Sequence, residues 1–223
     1  MRLPFHGLVS ARGDTYRCHA PSKTASFIGG ADISEIATLD SADSARAFIT
    51  KIHLACKALR DLPVPVIARV NGYALGAGLE IMAACDLRIC TRASVFGMPE
   101  VKVGIPSVVE AALLPGLIGL GRTRRFLYLA ENIHASVAET WGLVDRVVED
   151  EKTLDAAVEN WVGKLVGMGP KAIRSQKRLI QKWENCSAEK GIMARVDAYA
   201  EAYEDGGREP KEMMEKFLKR KRR

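Results

Sequence analysis

The residues best suited to chemistry lie in VIARVNGYALGAGLEIMAACDLRI, residues 66–89. The small residues Gly76, Ala77 and Gly78 precede Glu80, the carboxylate of an otherwise apolar segment. A glycine-rich helix start leaves backbone N–H groups pointing at one spot, which binds an anion or an oxygen that is becoming one. The helix dipole alone also favours an acidic residue in a first turn, so a structural role for Glu80 stays open.

The elements that position these residues follow from the local pattern. The β-branched run Val66–Val70 predicts a buried strand, and Asn71-Gly72 predicts the turn that ends it. Upstream, FIGGADISEI contains a second glycine turn, followed by a helical pattern with Asp32 or Ser34 as its cap. This turn either delivers further N–H groups or simply begins a capped helix.

The rest of the chain alternates helical and strand patterns, which predicts an α/β layered sheet. An amphipathic helix is expected at 41–62, ended by Pro63 and Pro65. DLRICT and SVFGMPE predict short strands, the second ending at Pro99 and Glu100. Further expectations are an apolar helix at 104–121 broken by Pro115, a basic helix from 122, a strand at 143–148, helices at 154–166, 170–183 and 188–203, and a last basic helix or tail.

Composition limits the class of protein. With 223 residues and 48% hydrophobic residues, the chain can form one substantial core. We expect a core domain at 1–150 and a helical region at 151–223. No apolar run approaches the about 20 residues that span a bilayer, which predicts a soluble protein without a membrane partner. The five cysteines and four histidines are scattered, which favours buried thiols of an intracellular protein and no metal site.

The positive charge is concentrated at the end of the chain. Of the net charge of +6, residues 211–223 carry +5, from seven Lys or Arg against two Glu. Such a cluster is more typical of a solvated helix end than of a nucleic-acid contact. Residues 1–24 contain three arginines and one acidic residue, a bias typical of a mitochondrial presequence, but an irregular loop is an equal alternative because no amphipathic helix is present.

Four ordered segments carry a resemblance to a known family. FIGGADISE, ARVNGYALGAGLEIMAACDLRI, FGMPEVKVGIP and ETWGLVDRVV resemble, in this order, motifs of the crotonase superfamily, the enoyl-CoA hydratase/isomerase family. The resemblance implies a crotonase-like β-β-α spiral with a C-terminal helical trimerisation region. It also implies a homotrimer, or a hexamer built as a dimer of trimers.

The resemblance assigns roles to individual residues. It makes the N–H groups of Ala31 and Ala77 the donors that hold a thioester oxygen, and it makes Glu80 and Glu100 the paired catalytic carboxylates. Glu80 would orient and deprotonate water while Glu100 supplies a proton to C2, or the roles are shared or reversed. The residues assigned to substrate binding are Phe27, Gly30, Asp32, Ile33, Gly78, Met98 and Pro99.

The implied activity is hydration of a 2-enoyl-CoA to a 3-hydroxyacyl-CoA. Coenzyme A is part of the substrate, and no metal or redox cofactor is implied. One alternative is a double-bond isomerase of the same family with Glu100 as main base, although the presence of Glu80 favours hydration. Another is a non-catalytic relative that binds acyl-CoA, or RNA through the basic tail. An intracellular location is expected, with cytoplasm, mitochondrion and peroxisome not distinguished.

Three features depart from the family pattern. The 26 residues before Phe27 do not match the usual N-terminal module, so we expect core strands to be missing or altered, leaving an unpaired sheet edge. Ser34 stands where many members have a lysine for a CoA phosphate. SVVEAAL replaces a glycine-rich run and introduces Glu110, which either lines the acyl pocket or satisfies a buried arginine.

Overall fold

The computed structural model describes residues 9–12, 15–19 and 26–221. Two 3₁₀ turns, Glu100–Val103 and Val109–Leu113, accompany the regular elements. The strands are β1 (Val9–Arg12), β2 (Thr15–His19), β3 (Ser26–Ile28), β4 (Val66–Val70), β5 (Tyr73–Leu75), β6 (Leu87–Thr91), β7 (Val95–Gly97), β8 (Ile133–His134) and β9 (Arg146–Val148). The helices are α1 (Ile33–Ile36), α2 (Ala42–Asp61), α3 (Ala77–Ala83), α4 (Leu114–Ile118), α5 (Leu120–Leu129), α6 (Ala135–Trp141), α7 (Glu151–Val166), α8 (Pro170–Glu184), α9 (Ala188–Glu201) and α10 (Arg208–Lys221).

The strands form two sheets, ordered β1-β2-β4-β6-β9 and β3-β5-β7-β8. Strand β4 is parallel to both β2 and β6, and β5 is parallel to both β3 and β7. Strands β7 and β8 are antiparallel. The α/β layered architecture predicted from the alternation of patterns is therefore confirmed.

Strand β4 has the predicted bounds, and its sequence explains its position. Four of its five residues, Val66, Ile67, Ala68 and Val70, have no exposed surface, as expected for a β-branched strand between two neighbours. Gly72 takes a φ of 81° at the predicted turn, a conformation that favours glycine. Strand β4 thus leads directly into β5 and the glycine-rich segment.

Helix α2 confirms the predicted amphipathic pattern. Ser41 caps its N-terminus by accepting a hydrogen bond from the N–H of Ser44, at 3.1 Å. Every buried residue of the helix belongs to one stripe with spacings of three and four: Phe48, Ile52, Cys56 and Leu59. Three cysteines, Cys56, Cys85 and Cys90, are buried as predicted, whereas Cys186 is half-buried.

Two predictions in the middle of the chain are wrong. The segment from Gly104 is not helical until the 3₁₀ turn at Val109, because Gly104 has a φ of 81° and Pro106 follows. Pro115 lies in the first turn of α4, where its missing N–H removes no hydrogen bond, so it begins a helix instead of breaking one.

The strand expected at 143–148 is limited to β9, Arg146–Val148, because its first residues complete the unpredicted helix α6. Gly142 takes a φ of 85°, and the N–H of Leu143 donates to the carbonyl of Ala138 at 2.9 Å. This arrangement is a glycine-terminated helix end.

The chain before Phe27 contains strands of the main sheet. Residues 9–12 and 15–19 form β1 and β2, and β2 pairs with β4 from Tyr16↔Val66 to His19↔Arg69. The irregular-loop interpretation is therefore wrong for these residues, and one edge of β4 is paired with β2. The presequence hypothesis for residues 1–24 stays a prediction, and residues 1–8, 13–14 and 20–24 of that segment lie outside the described residues.

The chain divides into two compact units. Of the described residues, the first contains those up to Asn160, apart from 12, 15 and 63–65, and the second contains these exceptions and the residues from Trp161. Within the second unit, Lys177 is buried and donates to the carbonyl oxygen of Val64 at 3.0 Å. The predicted boundary after residue 150 stays a prediction. Among the described residues, no helix is long and apolar enough to cross a membrane.

Candidate active site

The candidate site lies where two loops leave adjacent parallel strands. Strands β3 and β5 pair with Ser26 opposite Tyr73 and Ile28 opposite Ala74. Because parallel strands end at the same edge of a sheet, the loops that follow Ile28 and Leu75 emerge side by side. These are the two glycine turns singled out in the sequence.

Glycines allow the loops to approach each other. A Cβ at Gly78 would collide with the carbonyl oxygen of Ile28, so any larger residue would force the loops apart. Gly30 takes a φ of 113°, and a Cβ there would lie 3.4 Å from the carbonyl oxygen of Leu75. The small residues therefore permit the close contact between the two loops, and they also form the start of the helix.

Each loop presents one unused backbone donor next to this contact. Ala77 is the first residue of α3 and Ala31 precedes the α1 cap Asp32, so neither N–H has an intrahelical acceptor. Within the described parts of the chain, neither N–H donates to a backbone or side-chain acceptor. Two free donors on adjoining loops can stabilise negative charge on one oxygen.

Glu80 occupies the first turn of α3 and is only 4% exposed. Its Oε1 accepts a hydrogen bond from the N–H of Ala111 at 3.3 Å. Burial raises the pKa of Glu80 from 4.5 to about 8; the bond from Ala111 opposes this rise, and the charges of Glu100 and Glu110 add to it. The substrate-free chain thus carries a carboxyl group that holds its proton near neutral pH.

Glu100 begins the 3₁₀ turn Glu100–Val103 and is half-buried. The hydroxyl of Ser107 donates to Oε2 of Glu100 at 2.8 Å. A Cβ placed on Gly76 would lie 2.6 Å from Oε1 of Glu100, so this carboxyl group is close to the residue before Ala77. The fold therefore brings Glu100 to the helix start that carries Glu80.

The other predicted substrate-binding residues occupy different environments. The side chains of Phe27 and Met98 are buried in the core, with 3% and 0% exposure. Asp32 caps α1 by accepting from the N–H of Ser34 at 2.8 Å, whereas Ile33 is 65% exposed. Pro99 is half-buried directly before Glu100. Their roles in substrate binding, and those of Gly30 and Gly78, stay predictions.

The sequence reasoning missed several contacts at the site. Ser107 and Ala111 were not singled out, because a hydroxyl or an N–H in an irregular segment gives no periodic signal. Among the described residues, Glu110 does not pair with an arginine, as one alternative had it; its Oε1 lies 2.8 Å from Nδ1 of His53. Asp86 has a structural contact, since its Oδ2 accepts from the N–H of Val66 at 2.7 Å.

Comparison with known proteins supports the resemblance. The family model described as enoyl-CoA hydratase/isomerase matches residues 22–222. A short-chain-enoyl-CoA hydratase of Clostridium acetobutylicum is 33% identical over 198 residues, covering 88% of this chain and 74% of that protein. A crotonyl-CoA hydratase of Syntrophomonas wolfei is 34% identical, covering 88% of this chain and 75% of that protein.

Solved structures agree with these sequence relatives. The crystal structure of an enoyl-CoA hydratase from Bacillus anthracis superposes with a TM-score of 0.79 at 30% identity, covering 86% of this chain and 73% of that chain. Pseudomonas aeruginosa DspI gives a TM-score of 0.85 at 26% identity, covering 95% and 93%. The fold and the ordered motifs together show that the chain belongs to the enoyl-CoA hydratase/isomerase family of the crotonase superfamily.

Proposed function

We propose that this chain is an enoyl-CoA hydratase, which adds water to a 2-enoyl-CoA thioester to give a 3-hydroxyacyl-CoA. The observation that carries the proposal is the meeting of Glu80 and Glu100 at a helix start with free backbone donors. The family match and the names of the hydratase relatives support the same activity.

The free backbone donors can stabilise the charge that develops on the thioester oxygen. When water attacks C3, negative charge develops on the carbonyl oxygen as an enolate. The N–H groups of Ala31 and Ala77 lie on adjoining loops and can donate to that oxygen without reorganising. Removing one such donor typically raises the barrier by about 2.7–4 kcal/mol.

The two carboxyl groups account for the proton transfers. Water loses a proton as it attacks C3, and C2 gains one, so one group must accept while the other donates. Because burial holds a proton on Glu80 in the substrate-free chain, the pair carries that proton when substrate arrives. If Glu80 deprotonates the water, its own proton has first moved to Glu100, which then donates it to C2. In the reversed assignment, Glu80 donates its proton to C2 and Glu100 accepts the proton of the water.

The test measures hydration of crotonyl-CoA by the purified chain and by Glu80→Gln and Glu100→Gln. Each variant keeps the shape of the side chain but cannot transfer the proton, so each should lose orders of magnitude in kcat while its circular dichroism spectrum is unchanged. Glu131→Gln, at an exposed ion pair with Arg125, is the control and should keep its activity. Near-native turnover by either site variant would remove that residue from the mechanism.

The same assay distinguishes a double-bond isomerase. An isomerase would convert a 3-enoyl-CoA to the 2-enoyl-CoA and would not release a 3-hydroxyacyl-CoA from crotonyl-CoA. That reaction shuttles one proton between C2 and C4 and needs one carboxylate, so two carboxyl groups at one site favour hydration.

The remaining parts of the proposal concern cofactors, assembly and location. The reaction needs no metal or redox cofactor, since the backbone donors stabilise the developing charge and the carboxyl groups transfer the protons.

A homotrimer or hexamer is supported by the exposed apolar side chains of α9, where Ile192, Met193, Val196 and Tyr199 are 55–70% exposed. Light scattering on the purified protein tests this assembly. The buried cysteines support an intracellular location.

The ion pairing within the basic tail favours a solvent-exposed helix over a nucleic-acid contact. Within α10, Lys219 pairs with Glu215 at 2.6 Å, four residues away, and both side chains are largely exposed. This is the pairing expected on the surface of a helix in water. Salt-dependent RNA binding without acyl-CoA binding would instead favour the non-catalytic alternative.

A further inference from the structure

One buried carboxyl group near the candidate site has no role in the proposed proton transfers. The side chain of Glu110 is 7% exposed, and its Oε1 lies 2.8 Å from Nδ1 of His53, a half-exposed side chain on α2. Its Oε2 is buried and has no hydrogen-bond partner in the described chain. Because an unpaired buried carboxyl oxygen is costly, the contact with His53 is the polar interaction that holds Glu110 in place.

The residues on either side of Glu110 link it to the site. Val109 takes a φ of 42°, a left-handed conformation that is strained for a β-branched residue and persists only where the surroundings enforce it. Ala111 donates its N–H to Oε1 of Glu80 at 3.3 Å. Glu110 therefore lies between the strained residue and the donor that contacts Glu80.

Helix α2 provides a firm support for this contact. His53 lies in the middle of its 20 residues, and the helix is capped at Ser41 and fixed by its buried stripe. It packs against both the turn Val109–Leu113 and helix α3, which carries Glu80. A hydrogen bond from α2 to Glu110 thus connects two elements that already share a core.

We propose that His53 and Glu110 form a positioning pair: their contact fixes the strained turn Val109–Leu113 and so holds the N–H of Ala111 against Glu80. The inference rests on the proposed function, in which Glu80 transfers a proton. In this role, both residues act through Ala111.

The kinetic test compares His53→Ala with His53→Asn. The alanine variant loses the contact and should lower kcat by about 10- to 100-fold with KM changed less than about threefold, since a small displacement of a reacting group has this effect. Asparagine can place its amide nitrogen near the position of Nδ1 and donate to Glu110, so it should restore kcat to within about threefold of the native chain. Lys57→Ala, which breaks an exposed ion pair with Asp61 one turn further along α2, should leave kcat unchanged.

A second measurement does not depend on activity. The pH at which Glu80 titrates is obtained by comparing unfolding free energies with and without Glu80→Gln in each background. The charged groups that face Glu80 are Glu100 and Glu110. Since the N–H of Ala111 favours ionised Glu80, His53→Ala should raise this pH by about one unit. Glu110→Gln keeps an acceptor for His53 and removes a negative charge, so it should lower this pH.

The outcomes separate the inference from the proposed function. An unchanged kcat and titration pH in His53→Ala, or a loss that His53→Asn does not restore, would overturn the positioning role. If His53→Ala does not fold, His53→Leu, which fills the same space without a donor, takes its place, and an unchanged titration pH of Glu80 in that variant overturns the inference. If the native chain does not hydrate crotonyl-CoA but His53→Ala raises the titration pH of Glu80 and His53→Asn restores it, the proposed function fails and the support of Glu80 stands.

Discussion

Replacing Glu80 by glutamine should change how the stability of the protein depends on pH. The pKa of Glu80 is raised to about 8 in the folded chain, from 4.5, chiefly because the side chain is buried. Below pH 4.5 the folded and unfolded chains both hold this proton. Between pH 4.5 and about 8 the unfolded chain releases this proton while the folded chain keeps it. The unfolding free energy of the native chain therefore falls as pH rises through this range.

The magnitude follows from the separation of the two pKa values. At about 1.36 kcal/mol for each pKa unit, the difference corresponds to about 5 kcal/mol between acidic and alkaline conditions. Glutamine has nearly the same shape and does not ionise, so the variant is free of this loss. The unfolding free energy of Glu80→Gln, relative to the native chain, should therefore increase by about 3–5 kcal/mol from pH 5 to pH 9.

Urea unfolding of both proteins at a series of pH values measures this difference, and subtracting one curve from the other removes the titration of all other groups. Glu80→Asp is the matched control, since it keeps an ionisable group near the same position and its stability should still fall with pH. A difference between Glu80→Gln and the native chain that stays constant from pH 5 to 9 would refute the reasoning, because the burial of Glu80 would then not raise its pKa.

Three further substitutions test the arrangement of the site. Ala77→Pro removes one N–H at the first position of α3, where proline fits a helix, and should lower kcat by about 10²–10³-fold in a crotonyl-CoA assay without unfolding the chain. Gly78→Ala forces a methyl group against the carbonyl of Ile28 and should reduce the unfolding free energy by about 1–3 kcal/mol in urea titrations. Ser107→Ala removes a hydrogen bond to Glu100 and should destabilise the chain by about 1–3 kcal/mol and lower kcat.

For each of these substitutions, one result would contradict the prediction. Gly121→Ala is the control for Gly78→Ala: no atom lies within 4 Å of a Cβ there, and α5 should gain stability from losing a helical glycine. Equal effects at the two glycines would show that the loop contact is not tight. Unchanged turnover in folded Ala77→Pro would exclude that donor, and unchanged kcat in Ser107→Ala would show that Glu100 is fixed by other contacts.

The sequence predicts those parts of the fold whose signal is local. The β-branched run of β4, the capped stripe of α2 and the glycine turns before α1 and α3 each depend on neighbours within a few residues, and each is found where the pattern places it. Strands β5 and β8 contain three and two residues, too few for a period-two pattern to be distinguished from a loop.

Contacts between distant residues could not be predicted in the same way. His53 and Glu110 are 57 positions apart, and His53 looks like one more polar residue on the outer face of α2. The position of Pro115 was misjudged because a proline inside an apolar run is compatible with a broken helix and also with a new one. Whether the helix breaks or begins at Pro115 depends on Gly104 and Pro106, which keep the segment before Val109 from being helical.

The raised pKa of Glu80 is a consequence of the same packing that builds the fold. Six of the seven residues of α3 are buried, so a carboxyl group on this helix is removed from water whether or not it performs chemistry. The glycine at position 78 lets α3 approach β3 closely, and this approach also sets the free N–H of Ala77 beside the loop that carries Ala31. A substitution that separates the two loops should therefore lower the pKa of Glu80 and weaken the donor pair together, because one contact maintains both.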